Sequence, residues 1–125
     1  RGLHYQTPPA AQSKLVRVIK GKVLDVAVDI RRNSETFGEH IAVQLTAENK
    51  RQLFIPKGFA HGFVVLSKTA IFSYKVDNYY SAKHERGIVF NDKKLNINWR
   101  LNSKEIKFSD KDKSLPSFEN AELFT

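Results

Sequence analysis

Residues 14–30 read KLVRVIKGKVLDVAVDI, and this stretch decides the fold class. Two apolar segments, Lys14–Lys20 and Val23–Ile30, flank a short turn at Gly21. In the second segment, one face would carry Leu24, Val26, Val28 and Ile30, and the other face would carry Asp25, Ala27 and Asp29. This period of two is typical of β-strands. We therefore predict two paired antiparallel strands, the second with one buried face and one polar face.

Further short strand-like segments follow this stretch, with polar or Gly-rich turns between them. They are His40–Leu45, Gln52–Ile55, His61–Leu66, Ala70–Asp77 and Gly87–Phe90. Helical patterning is confined to the end of the chain, where Ser117–Phe124 is predicted to form one or two helical turns with Ser117 as N-cap. The spacing predicts one all-β domain over residues 1–125, folded as a sandwich or barrel with a short C-terminal helical segment.

The composition excludes several classes of protein. The 125 residues contain no cysteine, so disulfides, thiolate catalysis and cysteine zinc sites are ruled out. No apolar run approaches the roughly 20 residues that a membrane-spanning helix needs. We therefore expect a cytoplasmic domain without a membrane partner.

The charge is strongly positive. With 21 basic and 13 acidic residues, the formal net charge is +8, which suits a nucleic acid, an anionic surface or a small phosphorylated ligand. The basic residues occur in short pairs such as Arg31-Arg32 and Lys93-Lys94, with no basic helix or long like-charge block. A nucleic-acid-binding barrel is an alternative, although the pattern does not favour it.

Residues 1–6 read RGLHYQ and contain the first candidate for chemistry, His4. In a strand, His4 and Gln6 share one face, while Leu3 and Tyr5 take the other. Nearby cations, Arg1 and Lys14, disfavour protonation of a histidine, which suits a general base near neutral pH. The alternative is an ordinary histidine at a sheet edge.

Other candidates have equally plain structural alternatives. His61, between glycines and phenylalanines, either hydrogen-bonds a buried carbonyl or donates to a phosphate or carbonyl oxygen of a ligand. Tyr74 and Tyr80 would share a face if their strand continues, as core aromatics or as a proton donor and a stacking ring. Asp112, in a run of mixed charge, would normally be solvated, and it orients His4 only if the fold returns this tail to the start of the chain. The histidine spacing does not predict a metal site.

Several segments resemble the dTDP-4-dehydrorhamnose 3,5-epimerase family in order and spacing. They are Arg1–Gln6, Lys14–Val18, Asp25–Arg31, Thr36–Gly38, Leu45–Leu53, Ile55–Phe63 and Tyr74–Lys75, with the resemblance extending to about Trp99. The resemblance implies a cupin-type jelly roll, usually a homodimer, that needs neither a metal nor an organic cofactor. It also implies epimerisation of dTDP-4-dehydro-6-deoxy-D-glucose at C3 and C5, on the way to dTDP-L-rhamnose.

The resemblance also implies a role for individual residues. His4 corresponds to the general base, Tyr74 to the acid on the opposite side of the sugar ring, and Asp112 to the carboxylate that orients the base. Lys14 corresponds to the cation beside the C4 oxygen. The implied substrate-binding residues are Arg1, His61, Glu85 and Lys111, with Tyr80 stacked on thymine.

The beginning of the sequence departs from the family pattern. Family members usually carry a longer N-terminal segment with edge strands, which we expect to be missing from this sequence. The missing segment raises the alternative of a non-catalytic fragment that binds a nucleotide sugar. Independently of it, the sequence also leaves open an epimerase acting at C3 or C5 alone.

Overall fold

The computed structural model describes residues 1–102 and 104–125, which form two facing antiparallel β-sheets. The strands are β1 (His4–Gln6), β2 (Lys14–Lys20), β3 (Lys22–Asp29), β4 (His40–Thr46), β5 (Gln52–Ile55), β6 (Phe59–Val65), β7 (Ile71–Val76) and β8 (Glu85–Gly87), with one helix, α1 (Asp110–Lys113). The five-stranded sheet has the order β4-β3-β6-β1-β8, and the three-stranded sheet has the order β5-β2-β7. The prediction of an all-β fold with a short C-terminal helix is confirmed.

The predicted pairing of the first two long segments is wrong. Strand β2 pairs with β5 and β7, whereas β3 pairs with β4 and β6, so the turn at Gly21 takes the chain from one sheet to the other. Val16 and Val18 of β2 pack against Val23 and Ala27 of β3 in one apolar cluster. The two strands therefore meet face to face across the core instead of edge to edge.

Strand β3 is buried on both faces, which corrects the prediction of a polar face. Its even-numbered apolar residues pack beneath the C-terminal part of the chain, with Leu3, Ile88 and Trp99. Its other face lies against the three-stranded sheet, where Asp25 is 0% exposed. A central strand between two layers has no solvated face, so its acidic residues are held inside the protein.

The C-terminal part also differs in detail from the prediction. The helix lies at Asp110–Lys113, where the Ser109 hydroxyl accepts a hydrogen bond from the Asp112 amide. Residues 117–124 form only a turn, closed by a 2.9 Å hydrogen bond from the Ala121 amide to the Ser117 carbonyl. The chain then returns to the segment after β3, where Phe124 forms an isolated β-bridge with Arg31. No helix within the described residues is both long enough and apolar enough to cross a membrane.

Candidate active site

A pocket of about 790 Å³ lies between the two sheets. Seven of the nine predicted site residues line it: Arg1, His4, Lys14, His61, Tyr74, Tyr80 and Glu85. The other two, Lys111 and Asp112, lie in α1 and contact residues of the pocket wall. The fold therefore gathers residues that are more than a hundred positions apart in the sequence.

Four titratable side chains form a row across neighbouring strands of the five-stranded sheet; three of them, His4, His61 and Glu85, line the pocket, and Asp25 is buried behind His61. His4 of β1 and His61 of β6 are direct cross-strand partners. Asp25 lies beyond His61 on β3, and Glu85 lies beyond His4 on β8. Directly opposed residues in an antiparallel pair point to the same face. We call Asp25, His61, His4 and Glu85 the titratable row.

His4 lies on the face predicted for it and is paired with Asp112. Leu3 and Tyr5 pack in the core beneath the C-terminal part of the chain, while His4 and Gln6 line the pocket. The Nε2 atom of His4 lies 2.8 Å from Oδ1 of Asp112, and both residues are buried. The other carboxylate oxygen of Asp112 accepts a hydrogen bond from the Gly2 amide. Asp112 is therefore not the solvated residue that its neighbours in sequence suggest.

The surroundings of His4 favour its neutral form. Burial is the largest effect on the pKa of His4 and lowers it, and the charge of Arg1 lowers it further. Asp112 raises the pKa by its charge and its hydrogen bond, but the net pKa is lowered. Nδ1 is buried and has no hydrogen-bond partner among the residues that the structure describes. With its Nε2–H donated to Asp112, the neutral imidazole presents Nδ1 as the basic nitrogen.

His61 forms a second histidine–aspartate pair, with Asp25, a residue that sequence reasoning missed. Nε2 of His61 lies 2.6 Å from Oδ1 of Asp25. Burial raises the pKa of Asp25, against the lowering by the hydrogen bond and charge of His61 and by the charge of Lys14. The available signal was an aspartate in the middle of an otherwise apolar strand, since a buried charge needs a partner.

The facing wall is formed by the three-stranded sheet. Tyr74 of β7 pairs in register with Val16, and Val76 pairs with Lys14, so Lys14 and Tyr74 lie on the same inner face. Burial is the main cause that lowers the pKa of Lys14, and the charges of Asp25 and Glu85 raise it. A cation and a phenol on this wall thus face the two histidines across the pocket.

Glu85 contacts three of the other residues predicted to bind the substrate. Its Oε2 accepts hydrogen bonds from the Tyr80 hydroxyl (2.8 Å) and from Nζ of Lys111 (2.7 Å). Its Oε1 lies 3.9 Å from Arg1. Strand β7 ends at Val76, so the predicted continuation of this strand to Tyr80 is wrong. Tyr80 reaches the pocket from a connecting segment that Gln6 holds through the Ser81 amide and the Tyr79 carbonyl.

The titratable row does not form a metal site. Within residues 1–102 and 104–125, no group of three or more histidine, cysteine, aspartate or glutamate side chains is arranged to hold a metal ion.

Comparisons with known proteins agree with this geometry. The family model described as dTDP-4-dehydrorhamnose 3,5-epimerase matches residues 1–120. A dTDP-4-dehydrorhamnose 3,5-epimerase of Shigella flexneri is 56% identical over 124 residues, covering 99% of this chain and 67% of the relative. The crystal structure of the enzyme of that name from Elizabethkingia anophelis superposes with a TM-score of 0.95 at 52% identity, covering 96% of this chain and 66% of the other.

A third relative has been solved with a ligand. The dTDP-6-deoxy-D-glucose-3,5-epimerase of Legionella pneumophila, in complex with dTDP-4-keto-L-rhamnose, superposes with a TM-score of 0.91 at 49% identity. This match covers 96% of the present chain and 63% of the Legionella chain. The present chain thus spans about two thirds of the length of these relatives. The fold is the cupin-type jelly roll of these enzymes, and the chain belongs to the dTDP-4-dehydrorhamnose 3,5-epimerase family.

Proposed function

We propose that this protein epimerises dTDP-4-dehydro-6-deoxy-D-glucose at C3 and C5 to dTDP-4-dehydro-L-rhamnose, a step of dTDP-L-rhamnose biosynthesis. One observation carries the proposal. On one sheet, His4 is paired with the buried Asp112 of α1, and it faces Lys14 and Tyr74 on the other sheet across a pocket large enough for a sugar. The ligand of the Legionella relative is the product that this reaction would give.

The first half of the reaction is removal of a proton next to the C4 ketone. Such a proton becomes acidic only when negative charge on the ketone oxygen is stabilised. His4 takes the proton on Nδ1, and the imidazolium that forms is stabilised by Asp112 at Nε2. Lys14 supplies the positive charge for the enolate oxygen.

The second half returns a proton to the opposite face of the ring. Tyr74 lies on the sheet opposite His4, so its phenol donates from the side that the base cannot reach. C3 and C5 both flank C4, and one enolate-stabilising cation therefore serves both centres. The chemistry consists of proton transfers, for which this set of side chains needs neither a metal nor an organic cofactor.

The remaining site residues suit the dTDP portion of the substrate. Arg1, His61 and Lys111 provide donors for the diphosphate, and the charges of Arg1 and Lys111 form part of the net +8. Tyr80 is 64% exposed at the pocket rim, where a ring can stack on thymine. As parts of the same proposal, the protein acts in the cytoplasm as a homodimer, with the nucleotide sugar and no nucleic acid as its partner.

Deuterium incorporation tests this proposal. We expect the full-length protein, incubated with the 4-keto sugar nucleotide in deuterated water, to place deuterium at both C3 and C5, because each inversion exchanges one carbon-bound proton with solvent. Mass spectrometry and proton NMR of the product measure this. Label at one carbon alone would identify a single-site epimerase, and no label with intact dTDP binding would identify a binding protein.

The pH dependence of the reaction should reflect the buried histidine. Since burial lowers the pKa of His4, the base stays neutral to a lower pH than an exposed histidine does. We expect kcat/KM to fall on the acidic side with a midpoint below 6.5, the ordinary histidine value. Initial rates measured across pH with enzyme stability checked at each point provide the test. An acidic midpoint above 6.5 would contradict a base in this environment.

A further inference from the structure

We propose that Glu85 is a positioning residue for the catalytic base. Its carboxylate is a second negative group, besides Asp112, that stabilises His4 when His4 is protonated. This inference rests on the proposed function and deepens it. In the family resemblance Glu85 corresponds only to a substrate-binding position, whereas its contacts here point at the imidazole. Asp112 contacts Nε2 of His4, and Glu85 Oε1 lies 3.8 Å from Nδ1 on the other side of the ring.

The strand register places Glu85 beside the His4 ring. In the antiparallel pair of β1 and β8, His4 opposes Gly87 and Gln6 opposes Glu85. His4, Gln6 and Glu85 therefore point to the same face, with Glu85 as the diagonal neighbour of His4. Gly87, directly opposite His4, has no side chain to intervene between them.

The orientation of the Glu85 carboxylate is fixed by its other oxygen. Tyr80 and Lys111 both donate to Oε2, which leaves Oε1 directed at Nδ1 of His4 and at Arg1. Burial opposes ionisation of Glu85, but the hydrogen bonds from Lys111 and Tyr80 prevail and lower its pKa. The side chain is only 10% exposed, so solvent screens the ionised carboxylate little.

The other charged groups around His4 do not occupy this position. Asp112 approaches from α1 and is hydrogen-bonded to Nε2. From β6, His61 is the cross-strand partner of His4, and its own Nε2 is paired with Asp25. Arg1 disfavours the imidazolium, and Lys14, on the facing sheet, carries the same sign of charge.

The consequence is specific to the protonated state of the base. When His4 takes a proton from the substrate, the new N–H is on Nδ1, next to Oε1 of Glu85. The carboxylate stabilises the imidazolium by charge, whereas neutral His4 gains little from it.

The test compares Glu85→Gln with Glu122→Gln in the full-length protein. Glu122 forms an ion pair with Arg86, the neighbour of Glu85 on β8. Glu122 does not line the pocket, so Glu122→Gln controls for the loss of one negative charge. Proton NMR of the His4 ring, assigned with His4→Asn, follows its titration without substrate. We expect Glu85→Gln to move the midpoint to lower pH, and Glu122→Gln to leave it unchanged.

The pH dependence of kcat is a second measurement, and it would not change if Glu85 served only to bind substrate. We expect Glu85→Gln to shift the acidic limb of kcat to lower pH and to lower kcat on the plateau by roughly tenfold, a fraction of the ~10²–10⁴ that a general base contributes. Glu85→Asp, which keeps the charge, should restore the wild-type limb in part. An unchanged His4 midpoint, or a raised KM with an unchanged limb, would overturn the inference. Since the NMR titration needs no turnover, it remains decisive even if the deuterium experiment disproves the epimerase.

Discussion

Replacing His4 with asparagine should lower kcat by about 10³-fold, within the range expected for loss of a positioned general base. Asparagine is similar in size and keeps a hydrogen-bond donor for Asp112, so the buried carboxylate is not left unpaired. What the variant lacks is a nitrogen that can accept the substrate proton at neutral pH. The measurement is single-turnover deuterium exchange at C3 and C5 at saturating substrate.

The control for this variant is binding. The contacts proposed for the dTDP portion come from Arg1, His61, Lys111 and Tyr80, so the Kd for dTDP should change less than about threefold, below 1 kcal/mol. A melting temperature near that of the wild type would show that the fold is retained. If exchange persists at a tenth of the wild-type rate or more in a folded variant, His4 is not the base.

The strand pattern is predictable because it depends on the sequence of each segment alone. Lys14–Lys20 and Gln52–Ile55 were predicted with the bounds that the structure shows, since apolar alternation and turn residues are properties of the segment itself. The face shared by His4 and Gln6 followed from the same period. Such patterns specify which residues point together, but they do not specify which strand or layer lies opposite.

What escaped prediction depends on packing between distant segments. The assignment of β2 and β3 to different sheets reflects the burial of Val16 and Val18 against Val23, which no local pattern encodes. The proximity of Asp112 to His4, 108 positions apart, required the C-terminal part to fold back over the large sheet. Residue patterns alone did not provide it, and family resemblance supplied the role of Asp112.

The two-sheet architecture has a direct chemical consequence. Inversion of a carbon centre requires a base and an acid on opposite sides of a ring, and a sandwich provides two walls that face one another across a gap. His4 comes from one wall and Tyr74 from the other. The cation for the enolate must reach the C4 oxygen without lying on either proton path, and the position of Lys14 at the start of β2, on the inner face, is compatible with the role proposed for it.

Replacing Lys14 with methionine should therefore lower kcat by about 10²–10³-fold, the usual loss when one stabilising group for a developing oxyanion is removed. Methionine preserves most of the length and apolar stem of lysine, so the pocket retains its shape. Without the charge, the enolate is not stabilised, and removal of the proton at either carbon becomes unfavourable. Deuterium exchange at C3 and C5 should fall in parallel with product formation.

Lys75→Met is the matched control for this variant. Lys75 lies on β7 opposite Leu15, on the outer face of the same sheet, and its replacement removes the same charge from the same layer. We expect wild-type kcat for Lys75→Met, because field effects at an exposed position are screened by water and salt. Equal losses in the two variants would mean that Lys14 acts through the net charge of the protein. If Lys14→Met instead raised KM and left kcat unchanged, Lys14 would bind the diphosphate. The enolate would then lack a stabilising charge, and the mechanism proposed here would be wrong.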